Sequence, residues 1–204
     1  MILRTEQLDT LKIARYEFRL RSRGDAVLPP FLGGTLRGSF GHALKAVACS
    51  MPHGDCGHCF LADRCLYPKL FETSARKNSG LLGQGDDAPR PFIFIPPQPA
   101  SNSGFLRARD DLLRWRVKVE GDQYLVFGLT LLGDACVDLP YVIYAISLMA
   151  QHGFGADRVI FALEAVAAID GQGNRELNYT PEISNPGLRS VRNDIGCVGS
   201  DKAY

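Results

Sequence analysis

Between Pro29 and Cys65 the chain reads PPFLGGTLRGSFGHALKAVACSMPHGDCGHCFLADRC, and most of its candidate chemistry is concentrated there. The first kind is acid–base and electrostatic. His42 stands beside Lys45 and Arg37 in a glycine-rich run, with Gly38 and Gly41 between them. A histidine among cations can act as a general base beside groups that hold a phosphate. Histidine suits the base, because its ordinary pKa of about 6.5 lies near working pH. Lysine and arginine suit the electrostatic part or serve as plain phosphate contacts, which position RNA without reading it. A lone helix histidine is more often structural, so these residues alone leave His42 open between the two roles. The second kind is metal ligation. Cys49, Cys56, Cys59 and Cys65 are four of the six cysteines, and the C-x-x-C at 56–59 has the spacing of a zinc knuckle. Four thiolates predict a closed, structural zinc; an iron–sulfur cluster takes the same ligands. His53 or His58 could replace one cysteine, and ordinary buried thiols are the plainer alternative.

The elements that must position these residues follow from periodicity. Residues 12–21 alternate: Ala14, Tyr16, Phe18 and Leu20 face one way, and Arg15, Glu17, Arg19 and Arg21 face the other. This predicts a half-buried strand with a mainly basic outer face. From Thr35 the period becomes helical, with Leu36, Phe40, Ala43, Leu44 and Val47 on one side. Gly38, Gly41, His42, Lys45 and Cys49 fall on the other, flanked by Arg37. Each interior glycine costs about 1 kcal/mol relative to alanine, so something should approach the bare backbone, either another protein segment or an RNA backbone. Residues 49–71 form a cysteine-rich insertion, and 72–90 a polar, glycine-rich loop. A strand is expected at 92–95. The stretch 105–120 carries Arg114 and Arg116 among five basic residues, and is either a solvated edge or a nucleic-acid contact. A strand at 123–132, a buried helix at 139–151 and a strand at 158–169 follow. Residues 171–204 are polar and aperiodic, which predicts an arm or linker. The order βαββαβ over residues 10–170 predicts an α+β, ferredoxin-like domain.

Composition narrows the partners. The chain has 204 residues, 46% of them hydrophobic, and a formal net charge of +1. No global field draws it to a polyanion, so any polyanion partner must be held by a local patch such as Arg15, Arg19 and Arg21. Without an apolar signal-like start or a membrane-length apolar window, a cytoplasmic protein with no membrane partner is expected. There, clustered cysteines point to metal rather than disulfides.

Four blocks, LPPFLGGTLRGSFGHALKAVAC, DCGHCFLADRCLYPKLFE, PRPFIFIPP and VFGLTLLGDACVDLPYVIYAISLMAQHGFG, together resemble the CRISPR-associated, precursor-crRNA-processing endoribonucleases of the RAMP superfamily. The resemblance covers about residues 10–170. It implies a ferredoxin-like, RNA-binding domain that cuts repeat RNA without a catalytic metal, and it implies His42 as the general base. It also implies a second ferredoxin-like domain, which this sequence does not supply. A homodimer or a complex with other RAMP subunits on crRNA is therefore expected. The alternatives are a RAMP subunit that holds crRNA without cutting it, and a zinc-stabilised RNA-binding module outside CRISPR systems.

Overall fold

The first long strand, Ile13–Ser22 (β1), becomes the centre of a sheet because its inward residues Tyr16, Phe18 and Leu20 are all apolar and buried. A computed structural model describes residues 11–29, 31–51, 55–72, 89–97, 106–107, 117–155 and 157–180. The remaining elements are β2 (Ala26–Leu28), α1 (Leu32–Ala48), α2 (Leu66–Leu70), β3 (Phe92–Ile95), β4 (Leu106–Arg107), β5 (Val117–Val119), β6 (Tyr124–Leu132), α3 (Leu139–His152), β7 (Phe161–Ile169) and β8 (Arg175–Tyr179). Together they make a mixed α+β domain. Its main sheet has the order β3-β6-β1-β7-β8, with every neighbouring pair antiparallel. A small second sheet has the order β2-β5-β4, and its Ala26, Leu28 and Val119 join the same core.

Strand alternation sets the two faces. On one face Phe18, Leu20, Leu125, Phe127, Leu129 and Val166 meet the apolar sides of α1 and α3 in one continuous core. Burying each such side chain contributes about 1.5–3 kcal/mol. Phe40 from α1 makes edge contacts with Phe92 and Phe94 at 5.3 and 5.4 Å, and Phe18 stacks on Phe127 at 5.5 Å. The other face bears no helix among the described residues. It shows Ile13, Ile93, Ile95, Tyr124 and Leu177 between the charged residues of β1.

Three expectations change. The helix expected from Thr35 begins at Leu32 and takes in Gly33 and Gly34. The region after Asp170, expected as an arm, contains β8, which pairs with β7 and carries the sheet to Tyr179. An Asp170 turn makes this possible: its carboxylate accepts from the backbone N–H of Gln172 and Asn174 at 2.9 and 2.8 Å, and Gly173 takes φ 88°. The Arg175 guanidinium then forks onto Glu17, with both contacts at 3.0 Å. Finally, the run 133–152 is long and apolar enough to cross a membrane by length and composition, contrary to the expectation from the sequence. Its α3 part buries Val142, Ala145, Ile146 and Met149 in the core, as a core helix does.

Candidate functional site

Helix α1 positions the candidate catalytic residues. Leu36, Phe40, Ala43 and Leu44 are buried against the sheet, which turns Arg37, Gly38 and His42 out to solvent and leaves Lys45 half-buried. The structure thus brings Arg37, His42 and Lys45 onto one side of one helix, two turns apart at most. Arg37, Gly41 and Lys45 form one stripe at i, i+4 and i+8; Gly34, Gly38 and His42 form the adjacent one.

The two glycines of interest behave differently. At Gly38 an added Cβ would meet nothing within 4 Å, so its backbone is open. At Gly41 an added Cβ would fall 2.4–2.8 Å from the ring of Phe71. Of the two approaches expected over these glycines, the protein itself makes the one at Gly41. This removes Gly41 from the surface open to RNA.

Phe71 is the residue that the sequence reading missed. It ends the short helix α2, stacks on Tyr67 at 5.6 Å and on Phe92 at 6.0 Å, and so ties the cysteine segment to α1 and β3. Cations gather around this ladder. The Arg37 guanidinium lies 6.0 Å and that of Arg90 5.3 Å from the Phe71 ring centre, and the Lys45 ammonium lies 5.5 Å from that of Tyr67. Such contacts are worth about 0.5–1 kcal/mol each at exposed positions. Arg90 is fixed further: its Nε donates to the Phe71 carbonyl at 2.6 Å. The signal for Phe71 was present as Tyr67 and Phe71 four residues apart in LYPKLFE, a helical pair facing one way. Arg90, at the end of a polar loop between two prolines, carried no such signal.

The cysteines only partly converge. Cys49, Cys59 and Cys65 line an open cleft of about 460 Å³ with Met51, Lys69 and Asp138. Cys56 is buried close to Tyr67 and Glu72, and its thiol is pushed up to about 11, chiefly by burial and then by a hydrogen bond to Glu72. The Tyr67 hydroxyl is likewise pushed up to about 12, by burial first and by the Glu72 carboxylate second. Cys65 Sγ points to the Ala48 carbonyl at 3.7 Å. His58 is exposed and pairs through Nδ1 with Asp55 at 2.7 Å, away from the thiols. Asp55, bonded first to the Gly57 N–H and then to His58, has its carboxyl held below the usual range. Among the described residues, no three His, Cys, Asp or Glu side chains stand together as a metal-holding group. The four-thiolate zinc or iron–sulfur site expected from the spacing is not assembled in this arrangement, and His53 lies outside the described residues.

The basic outer face of β1 is only partly free. Arg21 is paired with Asp122 at 3.1 Å and with Glu164 at 3.3 Å, and those carboxylates raise its pKa. Arg19 lies 3.8 Å over the Tyr124 ring, and Arg15 has no ion pair among the described residues. Arg114 and Arg116 lie outside the described residues. Tyr16 is buried on the helix side of the sheet, as its alternation predicted.

An uncharacterized protein of Archaeoglobus fulgidus is 31% identical over 146 residues, which is 71% of this chain and 43% of that relative. The chain therefore spans less than half the length of the relative it matches. A protein family described as an N-terminal domain matches residues 11–194, nearly the whole chain. On that match, the protein belongs to the AF_1859_N family of N-terminal domains.

Proposed function

We propose that this domain binds RNA and cuts it without a metal, as the resemblance to precursor-crRNA-processing endoribonucleases implies. His42 takes the 2′-hydroxyl proton; the freed oxygen attacks the adjacent phosphorus; the 5′-oxygen leaves with a proton from water or a second acid. Arg37 and Lys45 offset the charge that builds on the phosphate. The observation that carries this reading is the solvent-facing His42, with Lys45 about one turn after it along α1 and Arg37 about a turn and a half before it. The strand order supports it as well. Counting β1, β3, β6 and β7 as the four strands of βαββαβ, the sheet runs 2-3-1-4, the arrangement of a ferredoxin-like domain with β8 added at the edge. No step of this chemistry is routed through a metal, and the described cysteines do not fit one as placed.

A second reading has its own support. Among the described residues His42 has no hydrogen-bonding partner to fix its ring, as a general base usually has. A subunit that holds crRNA without cutting it needs none. In either reading the domain works beside further RAMP subunits or a second copy, which suits the helix-free sheet face with its exposed isoleucines.

Cleavage of a repeat RNA in EDTA is the test. His42→Ala is expected to lower the rate by about 10²–10⁴ while leaving affinity within a few-fold. Wild-type cutting by His42→Ala would remove the assignment, and binding without any cutting by the native chain would select the second reading.

A further inference from the structure

We propose that Arg37, Lys45 and Arg90, arranged around the Phe71–Tyr67 pair, form a phosphate-binding face in which Arg90 is the pre-positioned member. Phosphodiester groups would lie on it across the open backbone of Gly38, beside His42. The proposal rests on the RNA reading above and deepens it, adding a residue that reading did not contain and a place for the strand.

Several observations carry it. Three cations surround one aromatic pair, each within 6.0 Å of a ring centre. Among the described residues none of them closes an ion pair, although Lys45 lies near enough to Asp55 to help hold that carboxyl down, so much of their mutual repulsion is left for an anion to offset. The Glu72 carboxylate is engaged by Tyr67 and Cys56. Arg90 spends its Nε on the Phe71 carbonyl at 2.6 Å, while its two terminal nitrogens make no hydrogen bond among the described residues. A guanidinium held by one nitrogen with the other two free is prepared for a phosphate, because little side-chain freedom is left to lose on binding. The Phe71 ring cannot drift, since Tyr67 and Phe92 stack on it and its edge sits on Gly41. Beside it, Gly38 leaves a gap in the helix surface that a phosphate can approach.

Anisotropy of a fluorescein-labelled oligouridylate, titrated with the whole chain at several salt concentrations, tests this. Arg90→Gln is expected to weaken binding several-fold and to make the slope of log affinity against log salt shallower by about 0.7, one phosphate of a single strand. Arg90→Lys keeps the charge and loses the fork, so it should fall in between. If Arg90→Gln matches the native chain in affinity and slope while Arg37→Gln and Lys45→Gln weaken binding, the face as proposed is wrong and the RNA reading survives. A second arm uses inorganic pyrophosphate, followed by amide shifts at Gly38, Gly41 and His42. Pyrophosphate shifts that Arg90→Gln abolishes, in a chain that fails to hold RNA, would keep the phosphate face and remove the RNA reading. No shifts and no RNA binding would overturn both.

Discussion

Helices α1 and α3 lie on the same face of the same sheet and against each other, yet they are built for different ends. Helix α3 is LPYVIYAISLMAQH: no glycine, a proline in its first turn, seven buried apolar residues, and two tyrosines, Tyr141 and Tyr144, on its outer side. Helix α1 is LGGTLRGSFGHALKAVA, with four glycines, Arg37 and His42 turned outward and Lys45 half-buried beside them. Both bury enough apolar surface to be held by the sheet, so neither needs high helix propensity of its own. Only α1 departs from good helix chemistry. It does so along the side where Phe71 and the cations gather, as expected when a surface is shaped for contact rather than for stability.

The sharpest way to break this comparison is at the two glycines of α1. Gly41→Ala drives a methyl group into the Phe71 ring, which is clamped between Tyr67 and Phe92. The collision should outweigh the helix-propensity gain of about 1 kcal/mol, for a net loss of about 1–3 kcal/mol in urea unfolding. Gly38→Ala, with nothing nearby, should gain about 1 kcal/mol by the same measurement and weaken RNA binding. If both substitutions stabilise, Phe71 is not seated on α1 and the contrast between the helices fails.

A smaller effect sharpens the picture beneath α1. The raised Cys56 and Tyr67 values mean that the folded chain keeps protons which the unfolded chain has already released. More protons bound in the folded state makes stability fall as pH rises. For Cys56 the loss runs from the ordinary thiol value of 9.0 to about 11, and for Tyr67 from 10.0 to about 12. Urea midpoints measured through that window should decline, and Tyr67→Phe should flatten the upper part. A midpoint that stays level would mean that these groups are better hydrated than their burial indicates.

The smallest effect is expected on α3. Tyr144 is 62% exposed and touches no part of the cation cluster, so Tyr144→Lys should change stability by less than about 0.5 kcal/mol. It should also leave the salt slope of RNA binding where it was. A steeper slope would show that RNA also runs over α3, and that the division between the helices is less clean.

How much of this was legible in the sequence depends on where the signal lay. β3 was expected at 92–95 and lies there; β1, β6, α3 and β7 were each placed within three residues, because long apolar alternation or helical periodicity marks them directly. The outward side of α1 was legible for the same reason. β8 was not: RELNY has almost no apolar face, and the strand is held by the Asp170 turn and the Glu17 fork, contacts invisible to periodicity. The helical period was read from Thr35, but Leu32 and Leu36, both buried, carry the helix through Gly33 and Gly34. In the cysteine segment spacing alone suggested one four-thiolate centre. Spacing does not say which way each thiol turns, and burial beside Tyr67 and Glu72 draws Cys56 away from the cleft that Cys49, Cys59 and Cys65 share.

The position of β1 at the centre of the main sheet has a consequence for how the chain is made. Among the described strands it is the earliest in the sequence, yet Arg21 pairs with Tyr124 on one side and Arg15 with Ile169 on the other. Its apolar residues Phe18 and Leu20 therefore wait, without either neighbour, until most of the domain has been synthesised. Closing such long loops before any contact is gained slows folding and leaves strand edges open to wrong partners. Refolding of this domain should be slow for its size and sensitive to protein concentration, and β1 is the segment where a chaperone or an aggregate would take hold first.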